Sequence, residues 1–334
     1  MRVWFNHWFS TAYHLINLMK EDGDLFVIGS STNPDAVYKQ ACDEWFVEDE
    51  DIAAEEYPEF CLDICKKYDV DIFVPRRFLA EVAGYRKKFE HEGVLLFADK
   101  DAELIETLND KSLTYILLKR NGIGCVPPYE IASSMRDFME GYDKIKGAFE
   151  RVCYKLVIDE GARSFRVIDS SAESDVGMFR KSGSKINLMT AKKILKEYKF
   201  LLPVMIMPYL DGTEISADCL NTPSGNIIIP RFKRSGRISE IVFDERVMRE
   251  CGKIMDTLNI KMPLNIQFKM NDDNIYLLEI NPRMSGGLQL SCAGTGINIP
   301  KIAVNQLMGV DIPWEYPKFS SRKTAHIETP ICLD

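Results

Sequence analysis

One stretch near the carboxyl end, residues 277–287, constrains the chain most, because it brings three kinds of polar group to the end of an apolar segment. It reads LLEINPRMSGG and places Glu279, Asn281 and Arg283 within five residues of one another. In a β-strand, side chains two apart share a face, so Glu279 and Asn281 would lie on the same side as Leu277. The polar side therefore indicates a purpose other than core packing.

The preceding segment, residues 265–270, alternates in the same way and predicts a partner strand. Its apolar positions would form one face, and the other face would carry Asn265, Gln267 and Lys269. The turn 271–274 would join the two segments into a hairpin.

This hairpin would bring together polar groups that suit a metal ion bound with phosphate. If Gln267 lies roughly opposite Glu279, these two residues and Asn281 offer oxygen ligands of the kind that Mg²⁺ prefers. Arg283, just beyond the strand, could bind a phosphate with its planar guanidinium. The alternative is a half-exposed hairpin whose polar side chains face water.

Length and composition indicate a globular protein of two or three domains. The chain has 334 residues, of which 46% are hydrophobic and 28% charged. No run of about 18 apolar residues occurs and the first residues are too polar for a signal peptide, so we expect a cytoplasmic protein with no membrane partner. The net charge of −8 argues against a general nucleic-acid partner.

The cysteines and histidines indicate neither a zinc site nor a set of disulfide bonds. The nine cysteines include no Cys-x-x-Cys pair, and only four histidines could complete a zinc site. Scattered reduced thiols are the better interpretation. We assign no catalytic role to His7 or His14.

The first 109 residues alternate between short strands and helices, which predicts a small parallel sheet covered by helices on both faces. The turn after the first strand lacks Gly-x-Gly-x-x-Gly, so the domain is Rossmann-like in outline only. Residues 30–34 could hold a substrate group at the carboxyl edge of the sheet or form a plain loop. The last helix is expected to begin at Asp99 as its N-cap.

A lysine in the middle of a predicted strand marks the next part of the chain. The strand covers residues 152–158, and Lys155 lies at its centre, where a lysine needs a partner. A solvent-facing edge position would suffice, and so would a nucleotide phosphate. The following stretch, 159–167, mixes small residues with Ser and Arg and could bring backbone N–H groups and cations onto phosphates, or be an ordinary hairpin loop. Residues 170–187 are expected to form a mobile lid or a surface excursion.

Another apolar strand, 202–209, ends in groups that suit a nucleoside. Its last residues could present backbone groups to a purine edge, between apolar walls formed by Met207 and Tyr209. Glu214 could then accept hydrogen bonds from ribose hydroxyls. The alternative is a plain strand, a turn and a second strand.

The densest cationic run in this acidic chain is PRFKRSGR, residues 230–237. A solvated basic loop is the usual meaning of such a run. A triphosphate carries about four negative charges and needs this kind of neutralisation. We favour the second interpretation.

Taken in order, these segments resemble the ATP-grasp superfamily, most closely the branch with the ATP-binding modules of carbamoyl-phosphate synthase, biotin carboxylase and related carboxylate-amine ligases. The resemblance implies an α/β and α+β fold, with a pre-ATP-grasp Rossmann-like domain followed by a two-lobed ATP-grasp fold. The motifs that carry it are Glu279-x-Asn281-Pro282-Arg283, Asn265-Ile266-Gln267 and Tyr209-Leu210-x-Gly212-x-Glu214. The implied parts are a pre-ATP-grasp domain at 1–109, a small lobe at 110–200, a large lobe with the metal site at 201–310, and a C-terminal tail at 311–334.

The resemblance also implies ATP and Mg²⁺ (or Mn²⁺) as cofactors and assigns site residues. Arg283 takes the catalytic role at the transferred phosphoryl group, and we add Lys233 and Arg231 from the basic run. The implied metal ligands are Gln267, Glu279 and Asn281. The implied nucleotide-binding residues are Lys111, Lys155, Arg163, Ser164, Arg166, Met207, Tyr209 and Glu214. The loop at Arg163–Arg166 has fewer glycines than is usual in the family.

The implied activity is ATP-dependent activation of a small-molecule carboxylate as an acyl phosphate, followed by attack of an amine or similar nucleophile and release of ADP and phosphate. Such chemistry needs positioning and charge neutralisation more than a covalent nucleophile. The partners would be a small acid and an amine, and many relatives are homodimers. One alternative is a nucleotide-binding regulatory or assembly protein without ligase turnover, and a kinase-like enzyme is another.

Overall fold

The structure, a computed structural model, describes residues 1–21, 23–159, 163–172, 185–327 and 329–332. The chain divides into two compact units. The first comprises residues 1–106, 213–267 and 280–334, and the second comprises residues 107–212 and 268–279. The four-part division inferred from the resemblance stays a prediction.

The first unit begins with a parallel sheet of five strands. These strands are β1 (Arg2–Asn6), β2 (Phe26–Ser31), β3 (Glu44–Val47), β4 (Ile72–Val74) and β5 (Leu95–Leu96). Their order is β3-β2-β1-β4-β5, and all neighbours are parallel. The accompanying helices are α1 (Ala12–Lys20), α2 (Tyr57–Lys67), α3 (Leu79–Gly84), α4 (Arg86–His91) and α5 (Ala102–Asn109). This is the sheet that the alternating sequence predicts, since each parallel connection needs a crossover.

One boundary in this region differs from the sequence prediction. Helix α5 begins at Ala102, so the expectation that Asp99 caps it is wrong. Asp101 takes that place, because its Oδ1 accepts the backbone N–H of Leu104 at 3.0 Å. Asp99 instead accepts the backbone N–H of Lys261 at 3.1 Å.

The second unit has a mixed sheet of its own. Its strands are β6 (Glu130–Ala132), β7 (Val152–Leu156), β8 (Arg166–Ile168), β9 (Lys185–Ile186) and β10 (Val204–Pro208), in the order β6-β10-β7-β8-β9. The helices are α6 (Lys111–Arg120), α7 (Met135–Ala148) and α8 (Leu188–Tyr198). Asp110, Ser134 and Asn187 cap them through side-chain oxygens. The predicted phosphate loop and lid extend beyond the described residues, which exclude 160–162 and 173–184.

A third sheet contains the hairpin on which the sequence analysis rests. Its strands are β11 (Thr213–Thr222), β12 (Gly225–Lys233), β13 (Ile238–Ile241), β14 (Leu264–Met270), β15 (Ile275–Asn281) and β16 (Arg322–Ala325), in the order β15-β14-β11-β12-β13-β16. The helices that follow or separate them are α9 (Glu245–Leu258), α10 (Leu288–Thr295) and α11 (Ile299–Leu307). Within the tail, residues 322–325 therefore form an edge strand that pairs with β13. Across the described ranges, no helix has the length and apolar character that a membrane crossing requires.

Candidate functional site

The hairpin of β14 and β15 presents its residues much as the alternation predicts. The turn closes where Asn271 donates its backbone N–H to the carbonyl oxygen of Asn274 at 3.0 Å. Ile266 and Phe268 are both 0% exposed, which confirms the apolar face of β14. Gln267 is half-buried on the other face.

The three predicted metal ligands do not all belong to one unit. Gln267 and Asn281 lie in the first unit, and Glu279 lies in the second. Glu279 and Asn281 are two residues apart on β15, and both are half-buried. Their assignment as metal ligands stays a prediction.

Two buried lysines of the second unit lie at the end of β15. Lys111 is 7% exposed; its Nζ lies 3.7 Å from Oε2 of Glu279 and donates to the carbonyl of Asp159 at 2.8 Å. Lys155 is 8% exposed, and its Nζ donates to the carbonyl of Leu278 at 3.2 Å. The structure thus brings both sequence-predicted lysines to Glu279.

Local structure explains this convergence. Asp110 caps α6 by accepting the N–H groups of the next turn, which places Lys111 at the first helical position. The backbone N–H of Lys111 also donates to the carbonyl of Val157 at 3.0 Å, just beyond β7. Further along α6, the hydroxyl of Tyr115 donates to the carbonyl of Leu277 at 2.9 Å. Helix α6 is therefore tied to both strands that carry the charged groups.

Lys155 has a pKa that is well below its ordinary value at this position. Burial lowers the pKa of Lys155 to about 8, Lys111 lowers it as well, and Glu279 opposes them. Two buried ammonium groups beside one another repel, and an anion that enters would relieve this repulsion. A strongly shifted lysine with a defined charge partner is a common feature of functional sites.

The predicted phosphate loop is held to β7 by its own side chains. Ser164 donates its hydroxyl hydrogen to Asp159, and its oxygen accepts the backbone N–H of Leu156 at 2.9 Å. Arg166 lies on β8 and donates to the carbonyl of Arg163 at 2.8 Å. Arg163 is exposed. These residues lie beside the strand that carries Lys155, and no phosphate contact follows from their geometry alone.

The predicted purine wall consists of groups at the end of β10. Met207 is 2% exposed, and the Arg151 guanidinium carbon lies 3.9 Å from the centre of the Tyr209 ring. The ring of Phe165 stacks on the same tyrosine at 6.4 Å between centroids. The Tyr209 backbone N–H donates to the carbonyl of Arg151 at 2.9 Å, so this donor is already used. In the described part of the sheet, β6 pairs with β10 only as far as Ile206, so Met207 lies beyond that pairing.

Glu214, the predicted ribose ligand, begins a polar face on β11. It forms an ion pair with Lys233 of the neighbouring strand β12. Lys233 is exposed and Glu214 is half-buried. An exposed pair of this kind contributes little to stability, so either side chain is available for exchange with a ligand.

The basic run 230–237 does not form a single loop, because β12 continues through Lys233. Arg231 is 4% exposed and forms an ion pair with Asp218, Nε to Oδ2, at 3.0 Å. The Arg231 guanidinium therefore stabilises the buried carboxylate of Asp218 and is not exposed to solvent. The run therefore contains one structural arginine in addition to exposed cations.

The sequence patterns did not lead us to Asp218 and its partners, although the alternation of residues on β11 is a signal for them. Glu214, Ser216 and Asp218 alternate with apolar residues on β11, which predicts one polar face. The members of the resulting polar cluster are at most 8% exposed; they are Ser216, Asp218, Arg231, Asn265, Ser285 and Ser291. Gly287 lies against this cluster, since a Cβ atom there would lie 2.5 Å from Nη1 of Arg231.

Arg283 follows β15 and stays close to its own backbone. Its N–H donates to the carbonyl of Asn281 at 2.8 Å, and its Nη1 donates to the carbonyl of Met284 at 3.2 Å. The guanidinium carbon lies 5.5 Å from the centre of the Phe9 ring. The side chain is half-buried, and its role at a phosphoryl group stays a prediction.

Part of this chain is similar in sequence to known protein families. Residues 201–330 match a family described as ATP-grasp in the biosynthetic pathway with Ter operon. The chain is 27% identical over 171 residues to the arginine-specific large chain of carbamoyl phosphate synthase from Geobacillus stearothermophilus, covering 41% of this chain and 16% of that protein. It is 31% identical over 125 residues to the carbamoyl phosphate synthase large chain of Caldanaerobacter subterraneus subsp. tengcongensis, covering 32% and 11%. The chain thus spans less than a fifth of the length of either relative.

Solved structures of similar fold cover almost the whole chain. N5-carboxyaminoimidazole synthetase from Staphylococcus aureus, complexed with ADP, aligns with a TM-score of 0.70 at 12% identity, covering 93% of this chain and 78% of that one. Biotin carboxylase from Campylobacter jejuni aligns with a TM-score of 0.69 at 17% identity, covering 94% and 72%. The chain has the ATP-grasp fold. Its residues 201–330 match the ATP-grasp family named above.

Proposed function

We propose that the chain is an ATP- and Mg²⁺-dependent ligase that activates the carboxyl group of a small molecule as an acyl phosphate for attack by an amine or similar nucleophile. The observation that carries this proposal is the pair of buried lysines at Glu279, of which Lys155 has a pKa lowered to about 8. Such a pair is costly to bury unless an anion binds there. The phosphates of ATP are anions that would supply the opposite charge.

The predicted metal ligands fit Mg²⁺ chemically. Gln267, Glu279 and Asn281 offer amide and carboxylate oxygens, the donors that this hard cation takes. In the first unit, the amide nitrogen of Gln267 donates to Oδ1 of Asn265 at 3.2 Å, which leaves its oxygen for a cation. When bound, Mg²⁺ would neutralise phosphate oxygens and help orient them.

The remaining residues would bind the nucleoside. Met207 and the Tyr209 ring would contact the adenine, and Arg151 holds that ring in place. Glu214 would exchange its contact with Lys233 for the ribose hydroxyls. Arg163, Ser164 and Arg166 would add donors at the phosphates.

The proposed reaction balances without a covalent enzyme intermediate. A carboxylate oxygen of the acid attacks the γ-phosphorus of ATP, the bond to the bridging oxygen breaks, and ADP leaves. The amine then attacks the acyl carbon, loses a proton, and phosphate leaves with the oxygen that came from the acid. Arg283 would bind the transferred phosphoryl group with its planar fork, and Lys233 would add charge nearby. Arg231 is too buried for direct contact, and we propose a supporting role for it.

Phosphate release in the presence of Mg²⁺, ATP and pools of carboxylic acids and amines tests this function. Hydroxylamine in place of the amines would trap an acyl phosphate as a hydroxamate. We expect activity in the wild type and a loss of about 100-fold or more in Glu279→Ala, since removing one preorganised charged group commonly costs this much. Glu103→Ala, which changes an exposed carboxylate on α5, is the matched control.

The outcomes separate the competing functions. Nucleotide binding without phosphate release from any pool would favour the regulatory or assembly protein. A phosphorylated acid that accumulates without amide formation would favour the kinase-like enzyme. Full activity in Glu279→Ala would contradict the site assignment. The cytoplasmic location and the homodimer stay predictions.

A further inference from the structure

A chain of polar groups in the first unit leads from a buried carboxylate to the amide of Gln267. Asp218 lies on β11, and Asn265 and Gln267 lie on the neighbouring strand β14. Asp218 is 2% and Asn265 1% exposed, whereas Gln267 is half-buried. The three residues therefore connect the interior to an accessible side chain.

The carboxylate determines how its neighbours are oriented, because an ionised carboxylate only accepts hydrogen bonds. Asp218 accepts from Asn265 and Ser285 at Oδ1 and from Arg231 and Ser291 at Oδ2, at distances of 2.6 to 3.0 Å. These four donors fill the acceptor sites of the carboxylate. The side chain of Asn265 must therefore turn its NH₂ group, and not its oxygen, toward Asp218.

The backbone imposes the same orientation on Asn265. Its Nδ2 donates to Oδ1 of Asp218 at 2.9 Å and to the carbonyl oxygen of Ala217 at 3.1 Å. Both partners are acceptors, so both amide hydrogens are used. The Asn265 oxygen then lies on the side of Gln267 and accepts its Nε2 at 3.2 Å.

This orientation determines which end of the Gln267 amide can meet a ligand. Because Nε2 is turned inward to Asn265, the oxygen Oε1 is the end that remains. A cation binds an amide oxygen and is repelled by an NH₂ group. An amide without such a neighbour turns over readily and would often present the wrong end.

We propose that Asp218 is a positioning residue that acts through Asn265 to hold Oε1 of Gln267 toward the divalent cation. The assignment rests on the proposed function, in which Gln267 is a ligand of Mg²⁺. Arg231 and the serines of the polar cluster hold the carboxylate in place, and so the relay Asp218–Asn265–Gln267 starts from a rigid point. This gives the buried Arg231–Asp218 pair a purpose besides stability.

The test measures cation dependence directly and does not rely on turnover. ADP binding to the full chain is titrated at a series of free Mg²⁺ concentrations, and the half-saturating Mg²⁺ concentration is read from the change in ADP affinity. Asn265→Ala is expected to raise it about tenfold or more, since partners that orient metal ligands typically contribute 10- to 100-fold in affinity. Thr257→Ala, which removes a hydroxyl that donates to the Lys253 carbonyl on α9 outside this cluster, is expected to change it less than about twofold.

A rescue experiment separates orientation from a structural effect. A glutamate at position 267 offers an oxygen in either orientation, so Gln267→Glu should lower the half-saturating Mg²⁺ concentration in the Asn265→Ala background. In the wild type, the same change places a carboxylate against the oxygen of Asn265 and should raise it. Asp218→Asn weakens one of the acceptors that orient Asn265 while the Ala217 carbonyl remains, so we expect a smaller rescue there. Thermal unfolding of each variant checks that it is folded.

Two results would overturn the assignment. One is a half-saturating Mg²⁺ concentration that Asn265→Ala leaves unchanged. The other is an effect of Gln267→Glu that is the same in both backgrounds, as a purely structural role for Asn265 predicts. Wild-type ADP binding that does not respond to Mg²⁺ would instead overturn the proposed function, and the assignment with it.

Discussion

Lys155 is buried at a cost that a bound anion would offset, and this makes its protonation a reporter of the site. Burial and Lys111 lower the pKa of Lys155 to about 8, so above that pH the free protein holds a neutral amine. A phosphate that binds there favours the charged form and must restore the missing proton. Nucleotide affinity should therefore fall as the pH rises above about 8.

Calorimetric titration with ADP at pH 7 to 9.5, in buffers of different ionisation enthalpy, measures both the affinity and the proton uptake. About a tenfold loss of affinity is expected at pH 9 if Lys155 alone determines it, because one pH unit past a pKa leaves about one group in ten charged. Lys155→Arg keeps its charge throughout this range and is the control. Equal pH slopes in the two proteins would contradict the role of Lys155.

Glu48 shows the same physics in a structural setting. Its side chain is 0% exposed and accepts from His7, Ser30 and Tyr57 at 2.6 to 2.8 Å, with Arg77 at 3.6 Å. Burial raises the pKa of Glu48, but the hydrogen bonds lower it further, so the net pKa lies below its ordinary value. The pairing of His7 with this carboxylate gives that histidine a structural partner.

Glu48→Gln is expected to lower the free energy of unfolding at pH 7 by about 2 to 4 kcal/mol, because it leaves buried donors without a charged acceptor. A lowered folded pKa means that the wild-type advantage is complete above the ordinary pKa and is lost as the pH falls through the folded value. Urea unfolding at pH 7, 5, 4 and 3 should therefore show the two proteins converging at acid pH. Glu44→Gln, at a 41% exposed side chain, should cost less than about 1 kcal/mol. A difference between Glu48→Gln and wild type that does not depend on pH would refute this interpretation.

Among the elements, helix α6 connects local folding most directly to the site. Asp110 accepts the N–H groups of Ser112 and Leu113, and the next residue along the chain is Lys111. Asp110→Ala should cost about 1 kcal/mol in the free energy of unfolding, the usual contribution of an N-cap, and should also weaken ADP binding because Lys111 loses its defined position. Asn is an equally good cap, and so Asp110→Asn should preserve both properties. Thermal unfolding and ADP titration measure the two effects, and normal ADP binding in Asp110→Ala would show that the cap does not position Lys111.

The elements also show where sequence patterns suffice. Side-chain alternation predicted the β14–β15 hairpin. This signal is local, since it depends on residues within one strand. The capping prediction failed at Asp99 because another aspartate two residues further on competes for the same N–H groups.

Those local patterns could not predict contacts between residues that are distant along the chain. Arg231 was assigned a catalytic role because its sequence neighbours are basic, whereas its structural neighbours lie on β11 and after β15. Spacing along one strand shows which face a side chain takes and not which strand lies beside it. Lys111 was assigned to phosphate through the family resemblance, and the strand pattern left phosphate as one of two explanations for Lys155. Their convergence at Glu279 required the tertiary structure.

For the whole molecule, nucleotide binding should appear as stabilisation of the folded chain. A ligand that binds only the folded state adds about 2.7 kcal/mol at a concentration of 100 times its dissociation constant. ADP together with Mg²⁺ should therefore raise the thermal midpoint by several degrees, whereas ADP with EDTA should raise it much less, because the oxygen ligands at Gln267, Glu279 and Asn281 would lack their cation. Equal midpoints with Mg²⁺ and with EDTA would argue against a metal-assisted nucleotide site.

The fold explains how ATP could be used and leaves the acid to be named by experiment, since one fold serves many substrates. The fate of the acid's oxygen tests whether the carboxylate is activated as an acyl phosphate. With an acid found by the phosphate-release screen and labelled with ¹⁸O in its carboxylate, we expect one ¹⁸O atom in each phosphate released during amide formation. Phosphate without the label would contradict activation through an acyl phosphate.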